Sequence, residues 1–231
     1  MSVSMTHSLR PTLIASVLLT LMLVLVSAPG AQAGAIFTVD TSTGFFTGDE
    51  PDDNPGDGVC HTSVNRCTLR AAIMEANALA GADAIQFSVT GTISPFAALP
   101  VISEDLTISG PPNQIAVSGS EALRVFHVNP GVTLNISNLV IVRGTTSSFG
   151  GGIYNDAGTL TITNSTFSSN STGVAGYGGG IYNTGAVTIT NSTFSGNAAS
   201  SGGGIYNTAG TLPITNSTFS SNSANGGGGG I

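Results

Sequence analysis

The residues best equipped for chemistry crowd into one stretch. In "GDEPDDNPGDG" (48–58), Asp49, Glu50, Asp52, Asp53, Asn54 and Asp57 offer hard oxygen atoms of the kind calcium takes, about six to eight at a time. The stretch lacks the D-x-[DN]-x-[DN]-G register of an EF-hand loop. Its two prolines favour an extended, solvated turn. Calcium binding at Asp49, Glu50, Asp52, Asp53 and Asp57 and a plain exposed acidic loop both stand as readings. Cys60 and Cys67 follow and are the only cysteines. In an exported chain, an even number at close spacing reads as a disulfide. Free thiols and a metal site with His61 are the alternatives. Two cysteines and one histidine fall short of the four ligands of structural zinc.

Elsewhere the reactive side chains are sparse. Glu104, Asp105, Glu121, Arg124 and His127 show no spacing that suggests a catalytic constellation. His127 alternates with Phe126 and Val128, an ordinary strand pattern. After residue 130 only Arg143 and Asp156 are charged, and there is no histidine. Glycoside hydrolysis needs two carboxylates roughly 5–9.5 Å apart, which this half does not offer. No catalytic residue is expected, and no cofactor other than calcium.

The elements that hold these residues follow from composition and periodicity. The 231 residues carry a net charge of −7, only 7% of them are charged, and none is lysine. That balance excludes nucleic acid, whose phosphates require Lys and Arg to release counterions. With 40% hydrophobic residues, a core is possible. Residues 1–33 read as a secretory signal: Arg10, then the apolar run "LIASVLLTLMLVLV" (13–26), then the small-x-small pattern Ala31-Gln32-Ala33, with cleavage after Ala33. The apolar run is shorter than the ~20 residues a bilayer span needs. No second such run follows, so no transmembrane segment is expected once the signal is removed.

From 131 onward the chain repeats. Asn138, Asn164, Asn191 and Asn216 stand 26, 27 and 25 residues apart, each in the pattern apolar-x-apolar-x-Asn-x-x-apolar. A degenerate copy, Leu106/Ile108/Gly110, lies one period earlier. Repeats of this length signal a solenoid. The alternation has period 2 and the composition favours strands, so the solenoid is β rather than α. Each coil reads as about three short strands ("LTIT", "STFS", "GGIYN"), with loops projecting before the glycines. Stacked coils place Phe167, Phe194 and Phe219 in one internal column and Ile153, Ile181, Ile205 and Ile231 in another. Gly and Asn suit the corners, where φ turns positive, and the corner asparagines can hydrogen-bond from coil to coil.

The tetrapeptides Phe-x-x-Asn (Phe167–Asn170, Phe194–Asn197, Phe219–Asn222) and the recurrent Gly-Gly-x-Ile resemble the repeats of the chlamydial polymorphic outer membrane proteins. That resemblance implies a right-handed parallel β-helix on an exported bacterial protein. "CTLRAAIMEANALAGADAIQF", from Cys67, resembles the CSLREA domain found near the start of many such proteins. Leu69, Ala72, Ile73 and Ala76 fall on one helical face, with Thr68 as N-cap and Gly81 just past the end. Ala71 stands where the family pattern has Glu, leaving half a capping box. A helix over 67–80 would cap the first coil and its strand edge.

The expected organisation is a signal (1–33), a cap region with acidic loop, cysteine pair and helix (34–81), irregular early coils (82–130) and regular coils (131–231) of a longer, truncated solenoid. The expected role is non-catalytic adhesion or display on the cell surface or in secreted form, with the outer membrane as the site if a C-terminal anchor exists. The partner would be a surface receptor or polysaccharide. A carbohydrate-binding or carbohydrate-degrading β-helix and a passive stalk are the alternatives. The open C-terminal coil is expected to self-associate.

Overall fold

A computed structural model describes residues 34–42, 49–112 and 114–231, all within the compact unit Ala31–Ile231. The signal segment and its cleavage site after Ala33 lie outside the described residues. Alternating apolar and Thr/Ser residues form short strands, and every strand pair is parallel, so the chain winds as a β-solenoid. Its longest sheet has seven strands, running from Ile36–Val39 through Asp83–Phe87, Leu106–Ser109, Thr133–Ser137, Thr159–Thr163 and Ala186–Thr190 to Ile214–Thr215. A six-stranded sheet includes Thr166–Ser168, Thr193–Ser195 and Thr218–Ser220. A four-stranded sheet joins Phe126–Val128, Ile153–Asn155, Ile181–Asn183 and Ile205–Asn207.

A fourth sheet corrects the reading of three strands per coil. Thr145–Thr146, Ser171–Thr172, Ala198–Ser201 and Ser223–Gly227 pair in parallel where loops were expected to project. These segments are Ser/Thr/Ala-rich and lack the apolar alternation of the other strands. They form because the coil above supplies a template edge for their backbone N–H and C=O groups. What does project is the turn after Thr172, where Val174 is exposed.

Register stacks like on like. Ile108, Ile136, Ile162, Ile189 and Ile214 share one row. Phe167, Phe194 and Phe219 stack with ring centroids 4.6 and 4.9 Å apart. Ile153, Ile181 and Ile205 are paired and buried, and the column extends back to Phe126. Ile231 is 54% exposed and belongs to no strand.

The repeated asparagines divide into two classes that the spacing alone does not separate. Asn138, Asn164, Asn191 and Asn216 sit at φ of 58°, 50°, 51° and 48°, the left-handed corner that Asn tolerates. The coil-to-coil bond expected among them is confined to Asn191 Nδ2 donating to Asn164 Oδ1 at 3.3 Å, on the exposed face. The buried ladders are made by other residues. Asn155 donates to Asn183 and Asn183 to Asn207. Asn170 Nδ2 donates to Asn197 Oδ1 at 3.0 Å, and Asn197 Nδ2 to Asn222 Oδ1 at 2.9 Å. Asn155, Asn170, Asn183 and Asn197 are fully buried. Each also bonds the main chain, as buried polar groups must: Asn155 Nδ2 donates to Gly158 O, Asn170 Nδ2 to Ile141 O, Asn183 Nδ2 to Gly185 O and Asn197 Nδ2 to Phe167 O, with Asn155 Oδ1 left buried and without a partner.

The helix Leu69–Ala78 packs on the first two strands of the longest sheet, with Leu69, Ala72, Ile73 and Ala76 inward. Thr68 Oγ1 accepts from Ala71 N at 2.9 Å. Leu79, rather than Gly81, closes the C-terminus, its N–H donating to Glu75 O. Among the described residues no helix is long and apolar enough to cross a membrane.

Candidate functional site

The acidic stretch is held by its own donors. Asp49 forms a bidentate pair with Arg70, Nε to Oδ1 and Nη2 to Oδ2, both at 2.9 Å. Asp52, buried, accepts from the N–H groups of Asn54 and His61. Asp57 accepts from Val59 N and Asn54 Nδ2. The Val59 N–H, ahead of the Asn54 amide, lowers its pKa below the usual carboxylate range. Glu50 accepts from Ser63 Oγ at 3.2 Å. Asp53 pairs with His61 Nε2 at 2.9 Å. Each of the five carboxylates thus meets donors of the protein itself, and Asp52 and Asp53 come together with His61. Cys60 and Cys67 are bonded to each other. Glu75, to which the sequence reading assigned nothing, is fully buried and accepts from Gly56 N and Gly58 N. It pins the loop to the helix, a role visible only once the loop folds back over residues 17–19 positions ahead.

The most developed surface lies on the outer face of the four-stranded sheet that ends at Ile205–Asn207. In each "GGIYN" the isoleucine points inward, so period 2 turns the tyrosine outward. Tyr154, Tyr182 and Tyr206 consequently form a column continuous with His127: ring centroids are 4.7 Å (His127–Tyr154), 5.5 Å (Tyr154–Tyr182) and 5.7 Å (Tyr182–Tyr206) apart. A second column stands beside it. Phe149 and Tyr177 each precede a glycine triplet and pair across coils. They reach into the first column at 4.5 Å (Phe149–Tyr182) and 4.8 Å (Tyr177–Tyr206). All four tyrosines of the chain belong to this half-buried patch.

Arg124 anchors one end of it. Its guanidinium lies 5.2 Å from the centre of the Tyr154 ring and donates to the carbonyls of Phe149 and Gly150. Burial lowers its pKa from the ordinary value, and the neighbouring Tyr154 opposes that shift in part. Leu99, Val101, Arg124, Phe126 and His127 line a small hollow at the same end. His127 Nε2 is buried without a partner. Sequence reading placed His127 in a strand and found no spacing that joins it to Arg124 in a constellation; the tyrosine pattern was the signal that could have joined them.

Burial, then the Arg124 charge, depresses the His127 pKa, while Asp156 opposes the shift. The unfolded chain therefore binds a proton near pH 6.5 that the folded chain refuses. The His127 contribution to stability is expected to be complete above about pH 6.5 and to fall as pH drops towards the folded pKa. Thermal midpoints of the native chain and His127→Phe, taken above and below that pH, check this. The gap between the two should change in favour of the variant on acidification.

Residues 164–184 and 191–208 match the family model of the Chlamydia polymorphic membrane protein repeat. The matched segments carry two of the Phe-x-x-Asn and two of the Gly-Gly-x-Ile motifs or their flanks, with Tyr182 and Tyr206 inside them. No curated protein and no solved structure matches the chain.

Proposed function

We propose, taking the polymorphic membrane protein repeats as the premise, that this is a surface-exposed β-solenoid that adheres to glycans through its aromatic face. The membrane-protein repeat supports the surface location. The observation that carries the binding role is the double column of Phe149, Tyr154, Tyr177, Tyr182 and Tyr206. Packed against one another along the column, the rings form a continuous apolar surface with a polar rim, which suits the C–H groups of a pyranose ring and its hydroxyls. Successive coils about 4.8 Å apart offer one ring per step, a spacing comparable with one sugar unit of an extended chain. The Arg124 end adds a small hollow lined by Leu99, Val101 and His127 beside the column.

Binding without cleavage is the form this reading takes. Asp156 is the sole acidic residue after Glu121, and hydrolysis of a glycosidic bond uses two carboxylates. A glycan array probed with the chain from Gly34 tests the proposal. Tyr182→Ala, inside the first column and against Phe149 of the second, is expected to weaken the strongest signal at least tenfold, about 1.4 kcal/mol. Thr188→Ala, on the exposed face of a different sheet, should leave it unchanged. No retained glycan, or equal loss from both variants, overturns the reading.

A further inference from the structure

Asp83 opens the strand Asp83–Phe87 and is only 2% exposed. One carboxylate oxygen, Oδ1, accepts from Ala35 N at 2.6 Å. The other, Oδ2, is buried with no partner. A buried carboxylate with an orphaned oxygen is costly unless a cation or a further donor meets it. The other acidic side chain at this edge, Asp105, is turned away and accepts from Thr133 N at 2.7 Å. Neither ion pair among the described residues involves Asp83.

A candidate donor lies in the chain itself. Gly34 directly precedes Ala35, whose nitrogen holds Oδ1. The main chain of Gly34 packs directly on the Ala82–Asp83 peptide: a Cβ there would overlap the Ala82 carbonyl oxygen. Position 34 thus admits no side chain, and it is the residue that follows Ala31-Gln32-Ala33.

We propose that Asp83 is the receptor for the α-ammonium group of Gly34, created when the signal segment is removed. A signal peptidase hydrolyses the Ala33–Gly34 bond. One water is consumed, Ala33 leaves as a carboxylate, and the Gly34 amine takes up a proton. In the uncleaved chain this nitrogen is a neutral amide with a single hydrogen. In the cleaved chain it is a cation with three, one of which meets Oδ2. The new ion pair clamps Ile36–Val39 to the next strand, over which the helix Leu69–Ala78 packs. Removal of the signal then completes the N-terminal end of the solenoid, independently of what the aromatic face binds.

These 231 residues include no lysine, so once they are cleaved before Gly34 the Gly34 amine is their one primary amine. That makes the test direct. The full chain is exported, and the start of the product is read by mass spectrometry; Gly34 is expected, and any other first residue overturns the proposal. The product is then treated with an amine-acylating reagent, folded and in denaturant. Labelling of the folded chain is expected to be at least tenfold slower than labelling of the denatured one; equal rates overturn the proposal. Nα-acetylated chain, prepared in denaturant and refolded, should melt several degrees below the free-amine chain. Asp83→Asn should abolish that difference. A loss on acetylation that is the same in Asp83→Asn assigns the effect to something other than the ion pair and overturns it. Should Asp83→Asn fail to fold, the labelling rates on the native chain decide.

Discussion

Asn197→Ala is expected to cost roughly 3–5 kcal/mol, because it strands several buried groups at about 1–3 kcal/mol each. Asn197 is fully buried. Its Oδ1 accepts from both Asn170 N and Asn170 Nδ2, and its Nδ2 donates to Phe167 O and Asn222 Oδ1, all at about 3 Å. Truncation removes the acceptor of a backbone N–H and the donor of a carbonyl at a corner that no water reaches. In a solenoid each coil contacts only its neighbours, so the loss should be local. Hydrogen exchange should quicken across the coils carrying Asn170, Asn197 and Asn222 and stay near its native rate around Ile108 and Leu134. Asn191 supplies the contrast. It is exposed, and its value lies in a φ of 51°. Asn191→Ala should cost no more than about 1–2 kcal/mol: both residues carry a Cβ, and what is lost is the local polar bonding that lets Asn tolerate the left-handed region and one exposed hydrogen bond to Asn164. Urea denaturation of both variants separates the two classes of asparagine; equal losses would show that burial does not distinguish them.

Gly179→Ala is expected to lower stability by about 1–3 kcal/mol or more through overpacking of backbone on backbone. The triplets at 150–152, 178–180 and 202–204 use their glycines for different reasons. The first of each turns the corner at positive φ, 57°, 68° and 61°. The second and third are limited by space. A Cβ on Gly179 would stand 2.5 Å from the carbonyl oxygens of both Ala198 and Gly203, and one on Gly180 would stand 2.5 Å from the Gly204 oxygen. These oxygens belong to the next coil and accept the N–H bonds that hold the stack, as in Gly180 N to Gly203 O at 3.1 Å. They cannot retreat without breaking it. Gly227 has open space around its Cβ position and no positive φ. Gly227→Ala should therefore be neutral or slightly stabilising, since it narrows the unfolded ensemble. Thermal midpoints of the two variants measured together test the assignment, and a Gly179→Ala chain as stable as native would remove close stacking as the reason for the triplet.

Much of the solenoid was legible because its determinants are local and recur. Period-2 alternation specifies which residues face in, and repetition at a nearly constant spacing stacks them, so the Phe167–Phe194–Phe219 column and the row of isoleucines could be written down from the chain. The helix Leu69–Ala78 was legible for the same reason: its apolar face and Thr68 cap are set within ten residues or so. A left-handed φ at Asn138, Asn164, Asn191 and Asn216 likewise follows from position within the repeat and from the tolerance of Asn for that region.

What only the tertiary structure decided depends on groups far apart in the chain. The fourth sheet has no apolar signature, because a neighbouring coil's edge, not side-chain burial, creates it. Which asparagines are buried turns on whether a backbone bend faces inward, and the spacings of the corner set (25–27 residues) fall within those of the buried ladders (24–28 residues). Glu75 meets Gly56 and Gly58, and Arg70 meets Asp49, only after the acidic loop has folded over the helix. Phe149 approaches Tyr182 across 33 residues, and Arg124 reaches Tyr154 across 30. Asp83 loses water from an oxygen that finds no partner. Sequence alone determined the repeating coil, because side-chain alternation acts between neighbours. Stacking the coils decided the aromatic face and the buried polar contacts, because desolvation and hydrogen-bond satisfaction depend on what the adjacent coil brings.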